Sequence, residues 1–274
     1  MSFRAALDAV VSVLLPAPCR ICGATLTDAN RIPICASCFA SIEPIVDPMC
    51  SCCGRPFELA PQVEKAPGLC RLCRANFYAF ERARSFAYYN DALAGGMVLL
   101  KYEEVTRLGH WFAERLAEVV RKAGEEFQAD AVVPVPLHPD RQRERGYNQA
   151  ELIARPLARR LGLKLGSYLL MRTKPRPAQL VLSRSEHWKS VRGAYATRRG
   201  VRVDKLRILL VDDVLTTGAT LDACSRVLKK AGAASILGLT VARVRSVPMV
   251  PGSVAAAGAS RGRPKPAGHQ QHPT

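Results

Sequence analysis

Two adjacent carboxylates, Asp212 and Asp213, stand at the end of an apolar run, and a loop rich in small hydroxyls follows directly: Leu209-Leu-Val-Asp-Asp-Val-Leu-Thr-Thr-Gly-Ala-Thr220. The run Ile208–Val211 reads as a buried strand, and Leu221–Lys230, closed by Gly232, reads as a helix. A strand that delivers charge to its carboxyl end and runs into a helix N-terminus suits a phosphorylated ligand. Free backbone N–H groups and the positive end of the macrodipole face the phosphate there. Gly218 lets the backbone come close, and Thr216, Thr217 and Thr220 add hydroxyl donors. The carboxylates repel a phosphate, so their natural partners are sugar hydroxyls or a divalent cation. The plain alternative is an ordinary strand-to-helix turn with acids near a helix start. A receiver-type domain also ends a strand in paired Asp, but it needs a phosphate-accepting Asp several dozen residues later. After Asp213 only Asp222 remains.

Val211–Thr220 resembles the phosphoribosyl-pyrophosphate (PRPP) signature of type I phosphoribosyltransferases, without mismatch at its defining positions. The resemblance implies that Asp212 and Asp213 hold the ribose hydroxyls and act in catalysis. It places the 5′-phosphate on Thr216, Thr217, Gly218, Ala219 and Thr220, with Mg²⁺ entering alongside PRPP.

Cysteine supplies the second chemistry. Nine of ten cysteines lie between residues 19 and 73. Cys19/Cys22, Cys35/Cys38, Cys50/Cys53 and Cys70/Cys73 form four C-x-x-C pairs, and two thiolates so spaced can point at one tetrahedral ion. Pairing in chain order gives Cys19, Cys22, Cys35 and Cys38 one structural Zn²⁺, and Cys50, Cys53, Cys70 and Cys73 another. A cross-braced arrangement is the alternative. A disulfide framework fits poorly with a reducing compartment and with the lack of a signal peptide. Cys52 is left as a spare thiol or an alternative ligand. With few apolar residues between the pairs, the region is expected to depend on metal for its fold.

The double four-cysteine ribbon ahead of a PRPP signature resembles the ComF family, phosphoribosyltransferase-like proteins linked to DNA uptake in competent bacteria. The likeness runs from about residue 14 to about 245. It includes Leu100-Lys101-Tyr102, Pro134-Val-Pro-Leu-His138, Arg145-Gly-Tyr-Asn-Gln149, Gln179 and Val191-Arg-Gly-Ala-Tyr195. It implies a pyrophosphate-binding loop around Arg141–Gln149, with Arg145, Gly146, Asn148 and Gln149 as the contacting residues. Arg forks suit diphosphate oxygens, and Gly146 permits close backbone approach. Arg141 and Arg143 are weaker candidates, Lys101 is either a pyrophosphate contact or an exposed helix-end lysine, and His138 reads as structural. His187 and Ser190 stand where the family carries an Arg and an Asn, which puts that Arg's role in doubt here.

These groups need elements to hold them. Residues 1–16 read as a short amphipathic helix, 17–76 as the double zinc ribbon, 77–245 as the phosphoribosyltransferase-like domain, and 246–274 as a disordered Pro/Gly/Ala-rich tail. Strands are expected at Arg84–Tyr89, Ala131–Val135, Leu165–Met171, Ile208–Val211 and Ile236–Ala242. Helices are expected within Leu93–Tyr102 and over Val105–Lys122 and Gln149–Leu161, where Pro156 should kink or break the last. The basic segment after Pro136 reads as a mobile turn. This βαβ alternation predicts an α/β fold of the type I phosphoribosyltransferase kind: a mostly parallel sheet, helices on both faces, the ligand at the strands' carboxyl ends.

The formal charge is +17, and residues 141–207 hold 18 Lys or Arg against 4 Asp or Glu. A phosphorylated substrate needs part of that excess. The rest is a solvated basic face or a track for nucleic-acid phosphates, without the aromatic stripe of a stacking platform. The expected activity is 5-phosphoribosyl transfer from PRPP or a related phosphorylated ribose. The alternative is a nucleic-acid-binding competence factor that uses the site for a nucleotide effector. Expected partners are single-stranded DNA and a competence helicase or other uptake proteins. No segment is long and apolar enough to span a membrane, and a cytoplasmic location is expected.

Overall fold

Strand alternation decides what the fold buries. In β6 (Arg207–Leu215), Ile208 and Leu210 join one core, while Leu209 and Val211 join the other. Both faces are covered, so the strand reads as an unbroken apolar run. The computed structural model describes residues 17–26, 32–57, 68–175 and 183–245. The helix expected over 1–16, the tail expected over 246–274 and Gln179 lie outside them.

Five parallel strands form the main sheet in the order β1-β7-β6-β2-β3, with β1 Arg82–Tyr88, β2 Ala131–Pro134, β3 Lys164–Leu165 and β7 Ser235–Arg243. The core on the Leu209 face takes Leu93, Met97 and Leu100 of helix Asp91–Tyr102. It also takes Leu108, Phe112 and Leu116 of Arg107–Ala123, and Ile153 and Leu157 of Gln149–Leu161. The opposite core takes Leu221, Cys224 and Leu228 of helix Ala219–Lys230. Leu170 and Tyr195 join it from a small antiparallel sheet, β4 (Leu170–Arg172) with β5 (Tyr195–Thr197). Helices therefore lie on both faces, as the α/β pattern predicts. Among the described residues no helix is long and apolar enough to cross a membrane.

Each cysteine group joins a different core. Cys19 and Cys38 lie in the Leu209-face core, where Phe39 meets Trp111 with ring centroids 4.8 Å apart. Cys50, Cys53, Cys70 and Cys73 lie in the other core, beside Phe80 and Ala83. Ribbon side chains such as Leu26, Ile34 and Ile42 pack into the same core as the sheet.

Several expected elements differ. Strand β6 continues past Val211 through both acids to Leu215, because β7 keeps pairing with it as far as Arg243. The following helix begins at Ala219, not Leu221, capped by Gly218 in the left-handed region. The expected mobile turn after Pro136 contains a helix, Pro139–Arg145. Pro139 starts its first turn, and the His138 side chain accepts from Asp140 N–H at 3.4 Å. The single strand expected over Leu165–Met171 divides into β3 and β4, which belong to different sheets.

Helix Gln149–Leu161 matches its expected bounds and continues unbroken past Pro156. Proline cannot donate to Leu152 O, and its ring crowds that carbonyl. Helix Arg107–Ala123 crosses at that place with Gly109, where an added Cβ would stand 2.6 Å from Leu152 O. The oxygen left without its helical partner thus faces a Cα–H at close approach. At Gly96 a Cβ would meet Phe112 at an ordinary 3.5 Å. Gly109→Ala should therefore lower unfolding free energy in urea by about 1–3 kcal/mol. Gly96→Ala should hold or raise stability by about 0.5–1 kcal/mol.

Candidate functional site

From β2 the chain crosses to β3, and from β6 it crosses the opposite way to β7, so the order of strands reverses between β2 and β6. Open α/β sheets offer their ligand crevice at such a point, outside the carboxyl ends. Strand β2 stops at Pro134, opposite Val211, whereas β6 runs on beside β7. The acids are therefore held in the ladder on one side and open to a cleft on the other. Asp212 is 8% exposed and Asp213 7%.

Their electrostatics differ. Asp213 forms an ion pair with Lys101 at the end of helix Asp91–Tyr102. Burial raises the Asp213 pKa, but the Lys101 charge and hydrogen bond outweigh it and hold the carboxyl below its ordinary value. For Lys101 burial works downward, and Asp213 and Asp212 overcome it, so the ammonium holds its proton more tightly. Asp212 has no such partner: burial, then the neighbouring Asp213 charge, push it well above the ordinary carboxylate value. Its Oδ1 accepts from Asp213 N–H at 2.9 Å.

The hydroxyl loop lies directly above. Thr217 Oγ1 is 3.1 Å from His187 Nδ1 and accepts from Ala219 N–H at 3.3 Å, while Tyr78 donates from its hydroxyl to Thr217 O at 3.1 Å. Gly218 sits at φ 82°, and a Cβ there would meet the Tyr78 ring at 2.7 Å. A cleft of about 370 Å³ is lined by Asp212, Asp213, Thr216, Thr220, Lys101 and Gln149, and also by His187, Ser190, Arg172 and Tyr195.

Among the pyrophosphate candidates, Gln149 lines this cleft, and Arg145 hydrogen-bonds Gln149 while stacking over the Tyr102 ring at 4.9 Å. Gly146 and Asn148 line an adjoining cleft of about 800 Å³ with Arg143, Arg172, Arg198 and the exposed Tyr168. Asn148 is buried. It accepts from Ala150 N–H and donates to Val135 O, both at 3.0 Å, which makes it the start of helix Gln149–Leu161. Pro136, Leu137 and Arg172 line both clefts, which therefore lie side by side. Lys101 reaches the acids as a half-buried ion pair instead of an exposed helix end. His187 and Ser190 line the cleft, with Ser190 Oγ donating to His187 O at 2.9 Å. Sequence reasoning missed Arg172 and Tyr78. Tyr78 follows the last cysteine pair closely, and Arg172 stands in the basic excess with nothing local to separate it from its neighbours.

Each set of four sulfurs expected from pairing in chain order, Cys19/22/35/38 and Cys50/53/70/73, lies with its members within 4.8 Å of one another. The sulfurs fit one tetrahedral ion per set. Both sets are built alike. A first turn is closed by Gly23 or Gly54 at positive φ, and the third cysteine, Cys35 or Cys70, precedes a short helix that carries the fourth. Backbone N–H groups of Cys35 and Cys70 point at Cys19 and Cys50 sulfur, each at 3.3 Å, as suits thiolate acceptors. Cys52 belongs to neither set; its carbonyl accepts from Ala83 N–H at 2.7 Å and ties the ribbon to β1.

Two family models match the chain, a double zinc ribbon domain over residues 10–75 and a phosphoribosyl transferase domain over 148–255. Competence protein ComFC of Streptococcus pneumoniae is 30% identical over 212 residues, covering 77% of this chain and 87% of that protein. Competence protein F of Haemophilus influenzae is 28% identical, covering 74% and 87%. DNA utilization protein YhgH of Salmonella typhimurium is 28% identical, covering 81% and 95%. With two four-cysteine groups, a five-stranded parallel sheet and these relatives along most of its length, the chain belongs to the ComF family.

Proposed function

We propose that the cleft binds PRPP with Mg²⁺ and that the protein transfers the 5-phosphoribosyl group to an acceptor nitrogen, in the service of DNA uptake in the cytoplasm of a competent cell. The observation that carries this reading is the convergence of Asp212, Asp213, Thr216 and Thr220 on one cleft beside Lys101 and Gln149.

In this reading the 5′-phosphate lies on Thr216–Thr220. The hydroxyls of Thr216, Thr217 and Thr220 and the backbone at Gly218 and Ala219 receive it, at the N-terminus of helix Ala219–Lys230. Asp212 and Asp213 take the ribose hydroxyls. Gln149, backed by Arg145 and by the turn at Gly146 and Asn148, takes the pyrophosphate. Lys101, paired with Asp213, supplies positive charge beside the acids. Bound Mg²⁺ supplies further neutralisation of the leaving group. As the C–O bond to pyrophosphate breaks, positive charge develops on the ribose and the acceptor nitrogen forms the new C–N bond from the other face, losing its proton to solvent. The buried acids favour that developing cation without serving as a general base. Cys19, Cys22, Cys35 and Cys38 hold one structural Zn²⁺, and Cys50, Cys53, Cys70 and Cys73 the other.

Calorimetric titration of PRPP and Mg²⁺ is expected to give saturable binding to the wild type and a loss of at least tenfold in the double variant Asp212→Asn plus Asp213→Asn. Equal binding by the two would remove the reading.

The acids also carry a cost without ligand. Asp212 takes up protons in the folded state at pH values where the unfolded chain has released them, so stability falls as pH rises from the ordinary 3.8 to its raised value. Asp213 acts oppositely: its contribution is lost as pH falls through its lowered value. Asp212→Asn should thus raise the ligand-free thermal midpoint at pH 7 by a few degrees, on the order of 1 kcal/mol. The gain should vanish below about pH 4. A midpoint at or below wild type at pH 7 would contradict it.

A second reading, a nucleic-acid-binding factor with a nucleotide effector, is favoured by one observation: Arg143, Arg172, Arg198 and exposed Tyr168 line the adjoining cleft. Gel shifts on single-stranded DNA should then show binding that weakens steeply with salt and survives Asp212→Asn. Absence of a shift at low salt rejects it.

A further inference from the structure

We propose that the connector Phe77–Phe80, with Tyr78 at its centre, positions the Thr216–Thr220 loop and ties its geometry to the second four-thiolate ribbon. This rests on the reading of that loop as the 5′-phosphate cradle. Three contacts fix the loop from behind. Tyr78 donates to Thr217 O at 3.1 Å. Its ring occupies the space a Gly218 side chain would need, 2.7 Å from the Cβ position. One residue on, Ala79 N–H donates to Asp222 Oδ1 at 2.7 Å, in the first turn of helix Ala219–Lys230, and Asp222 is buried. A carbonyl, a Cα and a helical turn are held at once, so the loop's amide groups are set before a ligand arrives.

The connector has its footing in the ribbon. Phe77 N–H donates to Leu72 O at 3.1 Å, between Cys70 and Cys73. The Tyr78 ring stacks on Phe80 at 4.6 Å, and Phe80 is buried in the core that holds Cys50, Cys53, Cys70 and Cys73. A second route arrives from the sheet. Arg243, 4% exposed, donates to Cys53 O at 2.8 Å and pairs in register with Leu215, the residue before the loop. Burial pushes the Tyr78 phenol up to about 12, which preserves the proton its bond to Thr217 requires. The Thr217 hydroxyl also meets His187 Nδ1 at 3.1 Å, and the neighbouring Trp188 packs on Phe77 with ring centroids 4.9 Å apart.

Tyr78→Phe removes the hydroxyl and keeps the ring. The variant should retain two zinc ions per chain by native mass spectrometry. Hydrogen exchange in peptides covering 216–220 should accelerate roughly threefold to tenfold, and PRPP–Mg²⁺ should bind more weakly by a similar factor, as one lost hydrogen bond implies. Unchanged loop exchange in the zinc-loaded variant overturns the positioning role. In the wild type, stripping zinc with a chelator should raise exchange in the same peptides, and unchanged exchange after both ions are lost overturns the tie to the ribbon. Should the wild type fail to bind PRPP while Tyr78→Phe still loosens the loop, the proposed function falls and the positioning role stands.

Discussion

Two carboxylates are buried side by side where the sheet reverses its strand order, and one lysine stands against them. Adjacent like charges in a low-dielectric setting cannot both ionise cheaply. The protein resolves this unequally. Lys101 compensates Asp213, and Asp212 is left with its proton favoured. On the proposed reading, ribose hydroxyls or a dication brought to Asp212 would offset that burial. The helix end at Lys101 and the early stop of β2 at Pro134 both serve to hold that pair at an opening.

The second constraint is that the ribbons are not appendages. Alternation along β6 sends Ile208 and Leu210 to one core and Leu209 and Val211 to the other, and each core takes in one four-cysteine group. The ribbons gain burial by lending sulfurs and side chains such as Leu26, Ile34 and Ile42 to the sheet's cores. Metal and sheet then stabilise one another: Arg243 reaches from β7 to Cys53 O, and Cys52 O receives the Ala83 N–H of β1.

Local pattern made much of this legible. The acids, the hydroxyl loop and the helix after it are contiguous, so strand, turn and helix signals fall in one window. The C-x-x-C spacings likewise declare the four pairs; which pairs share an ion they leave open, and the sulfurs group in chain order. Helix Gln149–Leu161 was expected at the bounds it has, and in the structure Asn148 caps its start and Gly162 its end. What stayed hidden is non-local. Lys101 and Asp213 are 112 positions apart in sequence, and Tyr78 and Thr217 are 139 apart. No periodicity connects them. The helix Pro139–Arg145 was hidden for another reason: the charged, proline-bounded segment has the composition of a turn and buries none of its residues.

Pro156 shows how a local rule gives way without being violated. The rule concerns an acceptor stripped of its donor and a ring pressed on a carbonyl. Both consequences remain at Leu152, but the cost depends on what else meets that oxygen. A neighbouring helix that presents Gly109 there supplies close Cα–H contact and no side chain. The two residues lie 47 positions apart, and neither alone is informative: one reads as a helix breaker, the other as a weak helix former. Together they let two long helices cover the Leu209 face closely. That face includes the helix bearing Lys101, so the packing that tolerates the proline also helps fix the lysine opposite the acids.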